Sequence, residues 1–226
     1  MRRVIAFDVN ETLLDLGALD PQFHRAFGDA AARGEWFSQV IELAMTATAS
    51  NVYFDFAVVG DAALTMVAGR RHVDLTPSAR TDIVRGMRTL PPHVDARPGL
   101  ERLRDAGFRL AALTNSSSDA AEAQLGYAGL RDYFEHVLSV DRVRRLKPAP
   151  EVYRMAATTL GVPVGEVRLV AAHSWDVAGA LRAGCAAAFV SRPGKILDPL
   201  APRPDVVGPD LEAVAAGIIA VEAERQ

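Results

Sequence analysis

"VIAFDVNETLLD", residues 4 to 15, joins a short apolar run to a cluster of polar side chains. The apolar part, Val4 to Phe7, has the length and composition of a strand buried on both faces of a parallel sheet. The run ends on the carboxylate of Asp8, and Asn10, Glu11 and Thr12 follow closely. Ligands of such sheets bind beyond the carboxyl ends of the strands. The stretch therefore predicts a buried strand that presents Asp8 to a functional site.

Strand-like and helix-like segments alternate through the second half of the chain. Further strands are predicted from Arg109 to Leu113, Val137 to Val140, Val167 to Ala172 and Ala186 to Val190. Helices are predicted between or before them, from Gly99 to Ala106, Ser118 to Leu125, Pro150 to Leu160 and Val177 to Ala183. This alternation predicts an α/β fold with a doubly wound, Rossmann-like parallel sheet.

About ninety residues between the first two strands interrupt the alternation, whereas a single crossover helix needs far fewer. They are predicted to be mostly helical, over Asp20 to Arg33, Trp36 to Thr48, Phe56 to Ala68 and Pro77 to Thr89. We therefore predict a helical cap domain, residues 16–91, inserted into a core domain of residues 1–15 and 92–226. The segment Pro91 to Pro98 is predicted to be the hinge back to the core, and a final amphipathic helix follows the Pro-rich stretch Ala201 to Asp210.

Composition narrows the class of partner and the compartment. The 226 residues are 50% apolar, which is ample for a buried core. The net charge is −3, from 25 basic and 28 acidic residues, so we expect a small-molecule substrate and no nucleic-acid or membrane partner. The single cysteine, Cys185, excludes an internal disulfide and favours a reducing compartment. No stretch is typical of a signal peptide or a membrane span, so a cytoplasmic protein is expected.

Four segments carry polar groups at the predicted strand ends or shortly after them. They are the first stretch with Asp8, Asn10 and Thr12, "LTNSSS" with Thr114, Asn115 and Ser116, "LKPAPEVY" with Lys147 and Tyr153, and "AAHSWDVAGA" with His173, Ser174 and Asp176. The doubly wound sheet brings all four to one edge. Two carboxylates, a lysine and several hydroxyl and amide groups at one place predict covalent catalysis with Asp8 as the nucleophile.

The four segments resemble, in order, the four motifs of the haloacid dehalogenase superfamily, over nearly the whole chain. Phosphatases of that superfamily usually carry a second aspartate two residues after the nucleophile, where this chain has Asn10, and bind magnesium with further acids in the fourth motif. Here Ala171 and Ala172 precede Asp176, where a further acid is often found. A halide leaves without protonation, so the resemblance points to the metal-independent type II L-2-haloacid dehalogenases, with no cofactor.

That resemblance implies a reaction and a set of roles. Asp8 attacks the carbon that bears the halogen, and water then hydrolyses the resulting ester to release a 2-hydroxy acid. Lys147 reduces repulsion around Asp8, and Asp176 holds Lys147 and positions the water. The implied substrate-binding residues are Thr12 and Thr114 for the carboxylate, Asn115 for the halide, Tyr153 to orient Lys147 or Asp8, and Asn10 and Trp175 beside them.

Two positions depart from this branch. In that branch, a cap arginine directly after a tryptophan receives the halide. Alignment of this chain on Trp36 puts Phe37 at the position of that arginine, and no Arg or Lys occurs between Arg33 and Arg70. The branch also has an amide where this chain has His173, which is expected either to activate water near neutral pH or to make a structural hydrogen bond.

Other interpretations remain open from the sequence. Asp176 also suits an N-cap for the helix from Val177 to Ala183, and both of its roles can coexist. The chain is alternatively a magnesium-dependent phosphatase or another small-molecule hydrolase, or a carboxylate-binding protein without catalysis. A homodimer formed through the cap helices is a further prediction.

Overall fold

The sheet is the centre of the fold. A computed structural model describes residues 3–225, and within that range six strands form one parallel sheet. The strands are β1 (Val4–Phe7), β2 (Leu110–Thr114), β3 (His136–Ser139), β4 (Val167–Ala171), β5 (Ala186–Val190) and β6 (Val206–Gly208), in the spatial order β3-β2-β1-β4-β5-β6. Every residue of β1, β2 and β4 is buried, as the apolar run of β1 predicts, although Arg168 interrupts the apolar run of β4. The predicted doubly wound α/β fold is confirmed.

The strand order reverses direction beside β1. The chain passes from β1 to β2 and β3 on one side, then crosses to β4, β5 and β6 on the other. The carboxyl ends of β1 and β4 therefore border the crevice where doubly wound sheets bind ligands. Phe7 pairs with Val170 at this end, so Asp8 and His173 follow adjacent strands into the same crevice.

Helices cover the sheet and fill the long interval after β1. They are α1 (Asp20–Phe27), α2 (Ala32–Ala49), α3 (Phe56–Arg70), α4 (Pro77–Gly86), α5 (Ala96–Asp105), α6 (Ser118–Tyr127), α7 (Pro150–Leu160), α8 (Ser174–Ala183) and α9 (Leu211–Glu224). Helix α4 begins where residue types favour a helix start, because Thr76 accepts a hydrogen bond from the backbone N–H of Ala79 and Pro77 occupies the first turn. None of the helices in residues 3–225 is both long and apolar enough to cross a membrane.

The two connections between α1–α4 and the rest of the chain run side by side. The backbone N–H of Asp15 donates to the carbonyl of Pro91 at 2.8 Å, and that of His93 donates to the carbonyl of Leu13 at 2.9 Å. The division into a core of residues 1–15 and 92–226 and a cap of residues 16–91 stays a prediction. Residues 1, 2 and 226 of the predicted core lie outside the described residues.

Three predicted elements differ from the structure. The helix predicted from Asp20 to Arg33 is two helices, because Gly28 ends α1 with a left-handed φ of 73° that turns the chain before α2. The predicted hinge from Pro91 to Pro98 is partly helical, since its last three residues belong to α5, which begins at Ala96. Strand β6 lies inside the Pro-rich stretch and has only three residues, too few for a recognisable alternation.

Candidate active site

Asp8 lies at the end of β1 with both carboxylate oxygens engaged. Its Oδ1 accepts from Lys147 Nζ at 3.1 Å, and its Oδ2 accepts from Thr12 Oγ1 at 2.7 Å and from His173 Nδ1 at 3.1 Å. Burial raises the pKa of Asp8, but Lys147, His173 and Thr12 together outweigh it and hold that pKa far below its ordinary value. Asp8 is therefore ionised at neutral pH, as a nucleophilic carboxylate must be.

Lys147 is the cation between two buried acids. Its side chain is fully buried, and Nζ lies 2.7 Å from Asp176 Oδ2 and 3.1 Å from Asp8 Oδ1. Burial alone would lower the pKa of Lys147, but the two carboxylates outweigh it and raise that pKa. The ammonium charge is thus retained, and it compensates the negative charge that burial would otherwise make costly.

Tyr153 contacts Asp176, on the side away from Lys147. Its hydroxyl donates to Asp176 Oδ1 at 2.6 Å and also lies 3.2 Å from the backbone carbonyl of that residue. This corrects the expectation that Tyr153 orients Lys147 or Asp8 directly, because its only hydroxyl proton is directed to Asp176. We therefore place Tyr153 as a support for Asp176.

Asp176 lies in the first turn of α8. The helix begins at Ser174 with His173 at the N-cap position, so the interpretation of Asp176 as an N-cap is wrong. Burial raises the pKa of Asp176, while Lys147 acts in the opposite direction. Both oxygens of Asp176 accept hydrogen bonds and its side chain is fully buried, which suits holding Lys147 better than activating water.

His173 lies between two carboxylates. Its Nδ1 is 3.1 Å from Asp8 Oδ2, and its Nε2 is 2.9 Å from Glu11 Oε2. The rings of Phe37 and Trp175 stack on the imidazole, with centroids at 5.8 and 5.1 Å. Burial lowers the pKa of His173, but the hydrogen bonds and charges of Asp8 and Glu11 raise it to about 9. The ring is therefore an imidazolium at neutral pH, donating one hydrogen bond to each acid.

This charge state predicts a pH-dependent contribution to folding stability. Because the folded pKa of His173 lies above its ordinary value of 6.5, its contribution is complete below about pH 6.5 and is lost as the pH rises through about 9. We expect the difference in unfolding free energy between wild type and His173→Asn to shrink by up to about 3 kcal/mol across that window. Urea unfolding at pH 6 and at pH 9.5 measures this difference.

The matched control for that experiment is His136→Asn, because His136 is exposed on β3. The control should change the unfolding free energy by less than about 0.5 kcal/mol at either pH. A difference between wild type and His173→Asn that stays constant or grows from pH 6 to pH 9.5 would contradict the charge state assigned to His173.

Three of the side chains predicted to bind substrate, those of Thr12, Thr114 and Asn115, accept hydrogen bonds from backbone N–H groups. Thr12 Oγ1, besides donating to Asp8, accepts from the backbone N–H of Ala172 at 2.9 Å. Thr114 Oγ1 accepts from the backbone N–H of Ser116 at 3.1 Å. Asn115 Oδ1 accepts from the backbone N–H of Lys147 at 2.9 Å, which ties the second motif to the third. These bonds fix the positions of all three side chains, and their contacts with substrate stay a prediction.

Asn10 belongs to a separate amide network. Its Nδ2 donates to Ser116 Oγ at 3.2 Å, and its Oδ1 accepts from Gln124 Nε2 at 3.1 Å. Gln124 also donates to the carbonyl of Met87 at 2.8 Å. The network therefore connects the loop after β1 to α6 and to the end of the α4 region. Gln124 was not anticipated from the sequence, because it is a lone amide in the middle of a helix.

Two charged residues at the site were also missed. Glu11 Oε2 accepts from Lys195 Nζ at 2.5 Å as well as from His173, and Lys195 Nζ lies 5.8 Å from the centroid of the Phe37 ring. A cation from the loop after β5 thus approaches the position where the cap lacks an arginine. The signal was available: Glu11 lies within the first polar cluster, and Lys195 follows a predicted strand at the same sheet edge.

The acids of the site do not form a metal-binding group. Within the described range, residues 3–225, no set of three or more His, Cys, Asp or Glu side chains is arranged to hold a metal ion. Asp8 and Asp176, the two acids of the motifs, are instead bridged by the ammonium of Lys147. A divalent cation in that position would have to displace a buried lysine.

A cavity of about 170 Å³ lies between α2, α3, α4 and the start of α6. Its wall includes Trp36, Phe37, Ile83, Ser116 and Gln124. Phe37 and Ser116 also belong to the contacts described above, through His173 and Asn10. The cavity is mostly apolar and therefore suits the carbon skeleton of a small substrate.

The chain resembles one family of known proteins along most of its length. The family model for haloacid dehalogenase-like hydrolases matches residues 2–184. An (S)-2-haloacid dehalogenase of Pseudomonas sp. (strain YL) is 30% identical, over 93% of this chain and 91% of that protein. Haloacetate dehalogenase H-2 of Moraxella sp. (strain B) is 28% identical, over 93% and 95%. The solved structure of L-2-haloacid dehalogenase from Xanthobacter autotrophicus with covalently bound chloropropionic acid superposes with a TM-score of 0.88 at 27% identity, covering 96% of this chain and 98% of that one.

Proposed function

The chain belongs to the haloacid dehalogenase-like hydrolases, and from this premise we propose that it hydrolyses a small 2-haloalkanoic acid to the 2-hydroxy acid through an ester on Asp8. The observation that carries the proposal is the environment of Asp8, a buried ionised carboxylate that accepts hydrogen bonds from Lys147, Thr12 and His173. The relatives named as haloacid dehalogenases support the choice of substrate class.

The first half of the reaction is a displacement at carbon. An oxygen of Asp8 forms a bond to the carbon that bears the halogen, and the halide leaves with the bonding electrons. The halide needs no proton, so Asn10 at the position of the usual second acid is no obstacle. Thr114 and neighbouring backbone N–H groups hold the substrate carboxylate in this proposal, and the amide of Asn115 faces the halide. The single hydroxyl proton of Thr12 is donated to Asp8, so Thr12 positions the nucleophile and does not bind the carboxylate as predicted.

Lys147 and its supports prepare Asp8 for that attack. The Lys147 ammonium offsets the charge repulsion between Asp8 and the substrate carboxylate, and Asp176 and Tyr153 fix its position. The second half of the reaction is addition of water to the ester carbonyl, which returns Asp8 and releases the 2-hydroxy acid.

The experiment that tests this function is halide release from each enantiomer of 2-chloropropionate, with and without a chelator. We expect release from one enantiomer, unchanged by the chelator. Absence of halide release from both enantiomers would contradict the proposal. Activity restored by magnesium on phosphate esters would favour a phosphatase instead.

We also propose that the chain forms a homodimer through the cap helices. Val52 and Phe54 before α3, and Val58 and Met66 on it, are each 43 to 56% exposed, so one helix and its entry carry four exposed large apolar side chains. We expect light scattering at several concentrations to give twice the chain mass, and Val58→Asp to give the monomer. A wild-type monomer at every concentration would refute the dimer.

A further inference from the structure

A line of four alternating charges leads from the surface to Asp8. Lys195 Nζ is 2.5 Å from Glu11 Oε2, Glu11 Oε2 is 2.9 Å from His173 Nε2, and His173 Nδ1 is 3.1 Å from Asp8 Oδ2. Only Lys195 in this line is substantially exposed, with 26% of its side chain accessible, against 13% for Glu11 and 6% for His173. The contacts therefore define a buried hydrogen-bonded chain that ends on the proposed nucleophile.

The charges around His173 decide what it can do in the free enzyme. Asp8 and Glu11 contact the two ring nitrogens, and the aromatic faces of Phe37 from α2 and Trp175 from α8 cover the ring. The other charged groups near these contacts are Lys195, behind Glu11, and Lys147, on the far oxygen of Asp8. With a proton on each nitrogen, the imidazolium has no lone pair with which to accept a proton from water. His173 is therefore not a base while Asp8 is ionised.

We propose that Glu11 is a positioning residue that prepares His173 as the general base for ester hydrolysis, and that His173 acquires this role only after Asp8 has been alkylated. The inference rests on the proposed function and adds to it the identity and the timing of the base. Asp176, the other candidate, is fully buried and has both oxygens engaged by Lys147 and Tyr153.

Alkylation changes the charge that faces Nδ1. When an Asp8 oxygen bonds to the substrate carbon and the halide leaves, the carboxylate becomes a neutral ester. The Nδ1–H proton of His173 then loses its ionic partner and passes to solvent, which is the proton that the overall reaction releases with the halide. Glu11 still accepts from Nε2–H, so the neutral ring keeps its proton on that side and presents a lone pair at Nδ1.

The hydrolysis then balances without another acid or base. Nδ1 takes a proton from water as the water oxygen bonds to the acyl carbon of Asp8. The tetrahedral intermediate collapses by breaking the bond from the acyl carbon to the ester oxygen, and the departing alkoxide takes the proton of the newly added hydroxyl group. The products are the 2-hydroxy acid, ionised Asp8 and the His173 imidazolium, so the free state is restored.

Glu11 determines which tautomer neutral His173 adopts. A carboxylate at Nε2 can only accept, which forces the single proton of neutral His173 onto Nε2 and leaves Nδ1 free. Lys195 lies on the same carboxylate oxygen; burial raises the pKa of Glu11, but His173 and Lys195 outweigh it and keep Glu11 ionised. In Glu11→Gln the amide can donate to Nε2, which favours the opposite tautomer with its proton directed at Asp8.

The test is a rapid-quench experiment on Glu11→Gln with 2-chloropropionate, followed by halide assay and intact-protein mass. We expect a burst of halide close to wild type, and then hydrolysis of the Asp8 ester about 10²-fold slower, so that the ester accumulates. The control is Glu224→Gln, because Glu224 is exposed at the end of α9 and makes the same carboxylate-to-amide change. It should hydrolyse the ester at the wild-type rate.

The double variant Glu11→Gln/His173→Asn separates a role through His173 from an independent one. If Glu11 acts through His173, the double variant hydrolyses the ester no more slowly than His173→Asn alone. Two results would overturn the inference without contradicting the Asp8 ester mechanism. One is that the effects of Glu11→Gln and His173→Asn on the rate of ester hydrolysis multiply fully in the double variant. The other is that Glu11→Gln hydrolyses the ester at the wild-type rate. Absence of any halide release by wild type would instead overturn the proposed function.

A second measurement follows the proton itself. In Asp8→Asn the neutral amide reproduces the loss of charge at position 8, so the pKa of His173 should fall from about 9 toward its ordinary value. Nitrogen NMR of histidine-labelled protein resolves this titration, with the His173 signal assigned by its absence in His173→Asn. An unchanged His173 titration in Asp8→Asn would overturn the timing that we infer.

Discussion

Asp8→Asn is expected to abolish halide release, with a loss of about 10⁴-fold or more, because the amide cannot attack the carbon that bears the halogen. The substitution preserves the size of the side chain, so the hydrogen bond from Thr12 to the side-chain oxygen can persist. Initial rates of halide release from the preferred enantiomer of 2-chloropropionate measure the effect. Intact-protein mass should show no ester in the variant.

The control for this prediction is Asp74→Asn, since Asp74 is exposed in the loop before α4. It should keep wild-type activity. Turnover retained by Asp8→Asn at more than about 1% of wild type, with the amide still present by mass, would contradict a nucleophilic role for Asp8.

Lys147→Met is expected to combine a large loss of stability with a large loss of activity. It leaves Asp8 and Asp176 buried near one another without their shared cation, which costs about 3 to 5 kcal/mol. It also removes the charge that favours the ionised form of Asp8 beside a substrate carboxylate. Urea unfolding at pH 7 and halide release measure the two effects. The matched control, Arg154→Met, removes an exposed cation from α7 and should change neither by much.

The double variant Lys147→Met/Asp176→Asn distinguishes buried charge from lost packing. Because it removes the carboxylate of Asp176, whose cationic partner is Lys147, we expect it to recover part of the lost unfolding free energy while staying inactive. A Lys147→Met protein as stable as wild type would contradict the charge balance described here. So would a double variant that is less stable than Lys147→Met.

The fold was predictable because its central strands are buried on both faces. Val4–Phe7 and Ala186–Val190 are uninterrupted apolar runs, and both have the predicted bounds in the structure. Two features were not predictable from sequence patterns. The strand Val206–Gly208 at the sheet edge is too short to give a recognisable pattern. The turn at Gly28 depends on one left-handed residue inside a segment of helix-like composition.

The sequence predicted which residues form the site better than it predicted their charge states. Topology alone brings Asp8, Lys147 and Asp176 to one edge, and the structure places them in direct contact. The charge state of His173 depends on distances of about 3 Å to two acids, which no sequence pattern gives. For the same reason the tie between Glu11 and Lys195, distant in the chain, was not foreseen.

The most direct test of the account is a single turnover with excess enzyme in water enriched in ¹⁸O. If Asp8 forms the ester and water attacks its acyl carbon, the first 2-hydroxy acid released carries unlabelled oxygen from Asp8. The label then appears in the peptide that contains Asp8, and enters the product only on later turnovers. Label in the product of the first turnover, with none in that peptide, would show direct attack of water on the substrate and would contradict the central role assigned to Asp8.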